Sequence, residues 1–108
     1  MVVMPGVGVL ASDAVQIDHV VSLSDAWASG AWEWTPLERI GFANDLDNLL
    51  AVDGPTNQAK SDRGPPDWLP EVDRCRYVEH YVQVKDAYGL GVSGDAIAGL
   101  RRLLQQCA

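Results

Sequence analysis

Basic residues are scarce in this chain: eight Lys and Arg stand against 15 Asp and Glu, a formal net charge of −7 in 108 residues. Phosphate backbones are held mainly by Lys and Arg, so this balance weighs against a protein that coats nucleic acid without specificity. Cysteine is scarcer still, with only Cys75 and Cys107, too few for a disulfide scaffold and not spaced as a zinc ribbon. His19 and His80 are the two histidines, but no Cys-x-x-Cys or His-x-x-x-His pair groups these four residues as a zinc site. No apolar run approaches the roughly 20 residues of a membrane helix, and no collagen-like, coiled-coil or Gly/Ser-rich repeat is present. A fibrous repeat and a membrane-crossing helix are excluded, and no membrane partner is expected. The opening MVVMPGVGVLASDA lacks a basic n-region and is interrupted by Pro5, Gly6 and Gly8. It is not read as a targeting segment, and a cytoplasmic location is the default expectation.

What is present, 47% hydrophobic and 21% charged residues, suits one globular domain with a single core. Residues 1–14 are read as an N-terminal segment, disordered or a remnant, and residues 15–108 as the domain. The alternation in residues 15–23 predicts a strand with Val15, Ile17, His19, Val21 and Leu23 on its apolar face and Gln16, Asp18 and Ser22 on the other. Trp27, Trp32 and Trp34 follow around Ser29-Gly30 and are expected to help close the core. Thr35, Pro36 and Glu38 form a capping-box helix start, with Leu37, Ile40 and Leu46 continuing an apolar stripe. Asn48 to Val52 reads as a short buried strand ended by Asp53-Gly54-Pro55. Thr56 then caps a polar helix that places Asn57, Lys60 and Ser61 on one face. Such a helix has little to bury, which makes it a carrier of chemistry. A long helix over 71–88, ending at Gly89, carries Cys75, Val78 and Val82 on one stripe and Tyr77, Tyr81, Val84 and Tyr88 on another. Ser93 caps a last helix with Ile97, Leu100, Leu104 and Cys107 along its inner side, so both cysteines are expected to point inward.

Singly, each polar residue has an ordinary structural explanation: a hydrogen-bonded core histidine, a turn asparagine, a solvated helix face. Their order is more informative: a strand bearing Asp18-His19, a helical excursion, a strand beginning at Asn48, and a polar helix with Asn57 and Lys60. The segments Ile17-Asp18-His19-Val20-Val21-Ser22-Leu23, Asp47-Asn48-Leu49-Leu50-Ala51-Val52 and Thr56-Asn57-Gln58-Ala59-Lys60-Ser61-Asp62 resemble the HNH endonucleases, also called His-Me finger or ββα-metal nucleases. With Phe42-Ala43-Asn44-Asp45, Asp67-Trp68-Leu69-Pro70 and Arg74-Cys75-Arg76-Tyr77-Val78 added, the run from Gln16 to Leu104 resembles the small bacterial HNH proteins related to the GmrSD C-terminal domain. Two features depart from that group. Ser22 stands where Pro is usual, and the 17 residues before Asp18 contain no cysteine.

The resemblance implies an α+β fold: a two-stranded antiparallel hairpin and a metal helix packed against two C-terminal helices. It implies hydrolysis of DNA phosphodiester bonds, with His19 as general base, since imidazole changes charge near neutral pH. Asp18 and Asn57 would hold one divalent ion, Mg²⁺ foremost and Mn²⁺ next, because oxygen ligands suit hard ions. Asn48 would keep the His19 segment in register, and Lys60 would meet the phosphate as a point charge. Consecutive strand residues face opposite ways, so the backbone is expected to deviate near His19, by a bulge or twist. The resemblance also implies that Cys75 and Cys107 pair, although two thiols packed as small hydrophobes are the alternative. Two other readings compete. One is a degenerate HNH fold serving as a non-catalytic nucleic-acid or protein binding module. The other is an acidic domain that binds a protein partner through its Trp-rich segment.

Overall fold

The computed structural model describes residues 2–3, 15–70 and 73–107. Its elements run β1 (Val2–Val3), β2 (Val15–His19), α1 (Leu23–Ala28), α2 (Pro36–Ala43), β3 (Leu49–Asp53), α3 (Gly54–Lys60), α4 (Arg74–Ala87) and α5 (Gly94–Gln106), with 3-10 turns at Ala31–Glu33 and Leu46–Asn48. The architecture is α+β, as expected. Strand β3 is central: it pairs antiparallel with β2, from Val15 opposite Asp53 to His19 opposite Leu49, and parallel with β1, Val2 opposite Leu50. Leu50, Ala51 and Val52 are buried in succession, the pattern of a strand covered on both faces. Residues 4–14 of the expected N-terminal segment lie outside the described residues.

The predicted first strand ends earlier than its alternation suggests. Beyond His19 the chain bends, and Ser22 becomes the N-cap of α1 by accepting from Asp25 N at 3.1 Å, so Leu23 is helical and exposed. The predicted faces are also reversed. Ile17 is 53% exposed, whereas Gln16 and Asp18 are directed at α3, where each has a polar partner. The apolar contribution of this segment comes instead from Val20 and Val21, 2% and 0% exposed. Full burial of such side chains stabilises by about 1.5–3 kcal/mol each.

Capping signals are accurate where a side chain and its helix start are adjacent. Thr35 and Glu38 close the capping box on α2, and Ser93 caps α5. The cap of α3 falls three residues earlier than expected, because Asp53, not Thr56, takes it by accepting from Thr56 N at 3.1 Å. The predicted turn after β3 therefore does not exist, and strand passes directly into helix. Helix α4 ends with Tyr88 as C-cap and Gly89 in the left-handed region at φ 64°, a common helix stop. Its predicted first residues, Glu71 and Val72, lie outside the described residues.

The core gathers Val20, Val21, Leu50 and Val52 beneath Phe42, Tyr77, Val78, Tyr81, Val84 and Leu100. Phe42 is the inward residue of α2, edge-on to Tyr88 at 4.9 Å and to Trp34 at 5.6 Å. That rotation leaves Leu37, Ile40 and Leu46, the expected buried stripe, exposed. Of the three tryptophans expected to close the core, only Trp34 does so. Trp27 and Trp32 are more than half exposed, Trp27 lying under the Arg39 guanidinium at 5.3 Å. Helix α5 passes so near the Pro65-Pro66 loop that a Cβ at Gly99 would sit 2.8 Å from Pro66 Cγ.

Cys75 and Cys107 form a disulfide with Cα atoms 5.5 Å apart, fastening the first turn of α4 to the end of α5. Cys75 is exposed and Cys107 half-buried, so neither points into the core as the helix stripes suggest. The bond also removes both thiols from any zinc site. A loop with a separation of 32 residues gives about 3–4 kcal/mol in the chain-entropy model. Replacing both cysteines by serine is expected to lower unfolding free energy by about that amount, read from urea denaturation. Asp45 ties the Leu46–Asn48 turn to α4 by accepting from the Tyr88 hydroxyl. That hydrogen bond, with one from Asp47 N, holds the Asp45 carboxyl below its usual range, and burial plus the same bond push the Tyr88 phenol up to about 12. The depressed acid contributes stability that is present above its unfolded pKa of about 3.9 and is lost as pH falls through the folded value. The raised phenol contributes stability that is present below about 10 and is lost as pH rises through about 12. Melting temperature followed against pH is expected to fall less steeply below about pH 4 in Tyr88→Phe than in the parent; an identical acid limb would break this linkage.

Candidate active site

The chain leaves the sheet at His19 and must find new partners for its backbone groups, because it stays buried through Val21. Three side chains from three elements supply them. Lys60 Nζ donates to His19 O at 3.1 Å, Tyr77 Oη to Val20 O at 3.3 Å, and Asn48 Nδ2 to Val21 O at 3.0 Å. Asn48 also accepts from Val21 N through Oδ1 at 2.8 Å, and its own carbonyl accepts from Val20 N at 2.8 Å. With 0% exposure, Asn48 clasps the bend at both backbone groups of Val21. The Ser22 hydroxyl then donates to Asp62 O at 3.1 Å, tying the bend to the far end of α3.

The ladder is regular through His19 opposite Leu49, so among the described residues no bulge accounts for the expected backbone deviation. The deviation is the bend after the strand, and Asp18 and His19 keep their opposite directions. His19 Nε2 lies 2.9 Å from Ala43 O, one of the last carbonyls of α2, which have no helical partner. A carbonyl only accepts, so Nε2 carries the proton, and in the neutral ring Nδ1 keeps the free lone pair.

On the other side, Asp18 faces α3. Its Oδ2 is buried and lies 2.9 Å from Lys60 Nζ, with Lys60 and Asp18 side chains 2% and 16% exposed. Among the described residues this ammonium is the one polar partner of Oδ2. Lys60, expected on a solvated face toward phosphate, is thus enclosed and committed to Asp18 and the His19 carbonyl. One helical turn earlier, Asn57 Nδ2 donates to Gln16 Oε1 at 2.7 Å, leaving its Oδ1 as the remaining acceptor. The structure therefore brings Asp18, Asn57 and Lys60 to one side of β2, directs His19 to the other, and places Asn48 beneath the bend. Ser61, expected on the Asn57–Lys60 face, ends α3 at φ 53°.

Gln16 escaped the sequence reading because a strand glutamine is ordinarily a surface residue, and no spacing marks it. A second buried pair also went unforeseen. Lys85 Nζ donates to Asp25 Oδ1 at 2.7 Å, Ser29 Oγ at 3.0 Å and Gly91 O at 2.8 Å, and the Tyr81 hydroxyl donates to the other Asp25 oxygen. The Tyr81 phenol is raised, by burial first and then by Asp25. This cluster lies on a cavity of about 630 Å³ that excludes Asp18, His19, Asn48 and Asn57. All three Lys85 protons are used, so its role is structural. An apolar groove of about 400 Å³, lined by Leu23, Trp27, Ile40 and Ala43 among others, borders the carbonyl that holds His19. Among the described residues, no three His, Cys, Asp or Glu side chains converge as a metal cage.

A family model for the C-terminal domain of GmrSD restriction endonucleases matches residues 8–92. The chain belongs to this family. The GmrSD C-terminal domain family is tied to HNH-type restriction endonucleases, in accord with the resemblance carried by the Asp18-His19, Asn48 and Asn57 segments. A protein of Arthroderma benhamiae named as an uncharacterized secreted protein is 45% identical over 101 residues, which cover 90% of this chain and 50% of that protein. The chain thus spans about half the length of this curated relative. No solved structure matches the chain. The relative's name as a secreted protein overturns the expectation of a cytoplasmic location, and the Cys75–Cys107 disulfide suits an oxidising compartment.

Asn48→Ala removes two side-chain hydrogen bonds from a buried site. It is expected to cost about 2–4 kcal/mol of unfolding free energy, since two buried backbone groups of Val21 lose their partner. Urea denaturation measures this, and a loss below about 0.5 kcal/mol would mean that the bend relaxes onto other donors.

Proposed function

We propose that this chain is a metal-dependent endonuclease that hydrolyses DNA phosphodiester bonds and works outside the cytoplasm. The observation that carries the reading is the junction of β2, β3 and α3. Asp18-His19 ends one strand, Asn48 precedes the other, and a helix follows without a loop to bring Asn57 beside the Asp18 face. Membership in a nuclease-related family supports it, and the relative's name supports the compartment.

The residues present fit a hard divalent ion, Mg²⁺ or Mn²⁺. Asp18 Oδ2 is a buried oxygen whose one polar partner among the described residues is the Lys60 ammonium, and Asn57 retains an amide oxygen once Gln16 has taken its nitrogen. A carboxylate and an amide make a small ligand set, the kind used for an ion that keeps several waters. Bound there, the ion would stabilise charge on the phosphate oxygens and the leaving 3′ oxygen. His19, on the opposite face at the end of β2, is held by Ala43 O in the tautomer whose Nδ1 can take a proton from water, and in this reading it serves as general base on a phosphate that passes over the strand end. Asn48 fixes the peptide that follows the base and acts as a positioning residue. Lys60, enclosed against Asp18, is not a phosphate contact in this reading.

The net charge of −7 favours a second reading, a non-catalytic binding module on the same fold. Six of the eight basic residues lie between positions 39 and 85, but Lys60 and Lys85 are spent on internal carboxylates, leaving Arg39, Arg63, Arg74 and Arg76, with Arg101 and Arg102 on α5, to face a polyanion. Plasmid cleavage separates the readings. Purified protein is expected to nick supercoiled DNA with Mg²⁺ or Mn²⁺ and to stop with EDTA. His19→Ala is expected to slow cleavage by roughly 10² to 10⁴ while keeping its melting transition, and Asp18→Ala and Asn57→Ala to shift the metal midpoint upward. Undiminished cleavage by His19→Ala would end the nuclease assignment.

A further inference from the structure

We propose that Lys60 is the resident counter-cation of Asp18 and competes there with the divalent ion, so that Lys60 sets the metal affinity of the site; the inference rests on the nuclease reading above. Asp18 Oδ2 is buried, and among the described residues its one polar partner, and the one positive charge bridged to it, is the Lys60 ammonium at 2.9 Å. The nearby Arg63 guanidinium is directed elsewhere, to the carbonyls of Lys60 and Ala59. A buried carboxylate stripped of its partner is an uncompensated charge and strongly destabilising. Without metal, Lys60 therefore balances the Asp18 charge and holds the carboxylate in place.

The same ammonium cannot retreat when an ion arrives. Its side chain is 2% exposed and it also donates to His19 O at 3.1 Å, so a bound dication and the ammonium share one carboxylate at close range. Like charges a few ångströms apart repel by kilocalories even near a protein surface. Two effects of opposite sign follow from removing the Lys60 charge. The metal-free protein loses stability, and the divalent ion binds more tightly. A lysine whose task was to meet phosphate would do neither. It would stand exposed, and its loss would weaken DNA binding without touching the free protein's metal affinity.

The test is titration of the free protein with Mn²⁺ in the absence of DNA, followed by electron paramagnetic resonance or calorimetry, on the parent and on Lys60→Met, which keeps the buried stem. The variant is expected to bind Mn²⁺ roughly tenfold more tightly, to melt lower without metal, and to gain more melting temperature from saturating Mn²⁺ than the parent does. Equal or weaker Mn²⁺ binding by Lys60→Met overturns the inference. If that variant does not fold without metal, the double variant Asp18→Asn with Lys60→Met decides. Recovered folding supports the charge pair, and a double variant equally unfolded overturns it, since Lys60 would then be needed for something other than Asp18. A parent that binds Mn²⁺ and cleaves DNA while Lys60→Met binds no tighter sinks this inference alone. A parent that neither binds nor cleaves sinks the nuclease reading with it.

Discussion

The structure depends on how a buried peptide bend is satisfied. Between the end of β2 and the start of α1 the chain has no ladder and no helix, yet Val20 and Val21 are among its most enclosed residues. Each carbonyl from His19 to Val21 takes a proton from a different element: Lys60 on α3, Tyr77 on α4 and Asn48 before β3. Leaving any of them unpaired would cost a desolvation penalty comparable to a sizeable share of a domain's net stability. The bend thereby specifies where three elements must meet. The residues proposed to do chemistry, Asp18 and His19, sit immediately before it and inherit its rigidity.

The division of labour between the two faces of β2 follows from that arrangement. One face carries the hydrophilic pairs to α3, Gln16 with Asn57 and Asp18 with Lys60. The other carries His19, whose ring satisfies the open end of α2. Polar contacts lie at both faces of this five-residue strand, and its central apolar residue, Ile17, is open to solvent while its charged neighbour is covered.

Much of this was legible in the sequence where a signal is local. The capping box at Thr35, the Ser93 cap, the stop at Gly89 and the buried run in β3 each depend on residues a few positions apart, and each stands. The family was legible through the resemblance of three segments to HNH nucleases, which the family membership bears out. What was not legible is nonlocal. Alternation in residues 15–23 counts polarity but cannot see that Asp18 has a lysine 42 positions later to meet. The tilt of α2 that prefers Phe42 over Ile40 is fixed by Trp34 and Tyr88, from two other elements. A charge on a short polar helix reads as solvated until its partner is known, which is how Lys60 came to be assigned to phosphate. Location is not legible from the opening residues at all, and the expectation of a cytoplasmic protein gives way to the secreted relative.

Asp53 closes β3 and caps α3 at the same time, so no residue intervenes between them. The two elements share a joint with no slack. A force applied to Asn57 on the helix is delivered to the middle strand of the sheet, and from there to Asn48 at its other end, as along a bent rod. The distance between these two side chains is in effect a fixed gauge, and whatever sits against Asn57 must accommodate itself to the sheet.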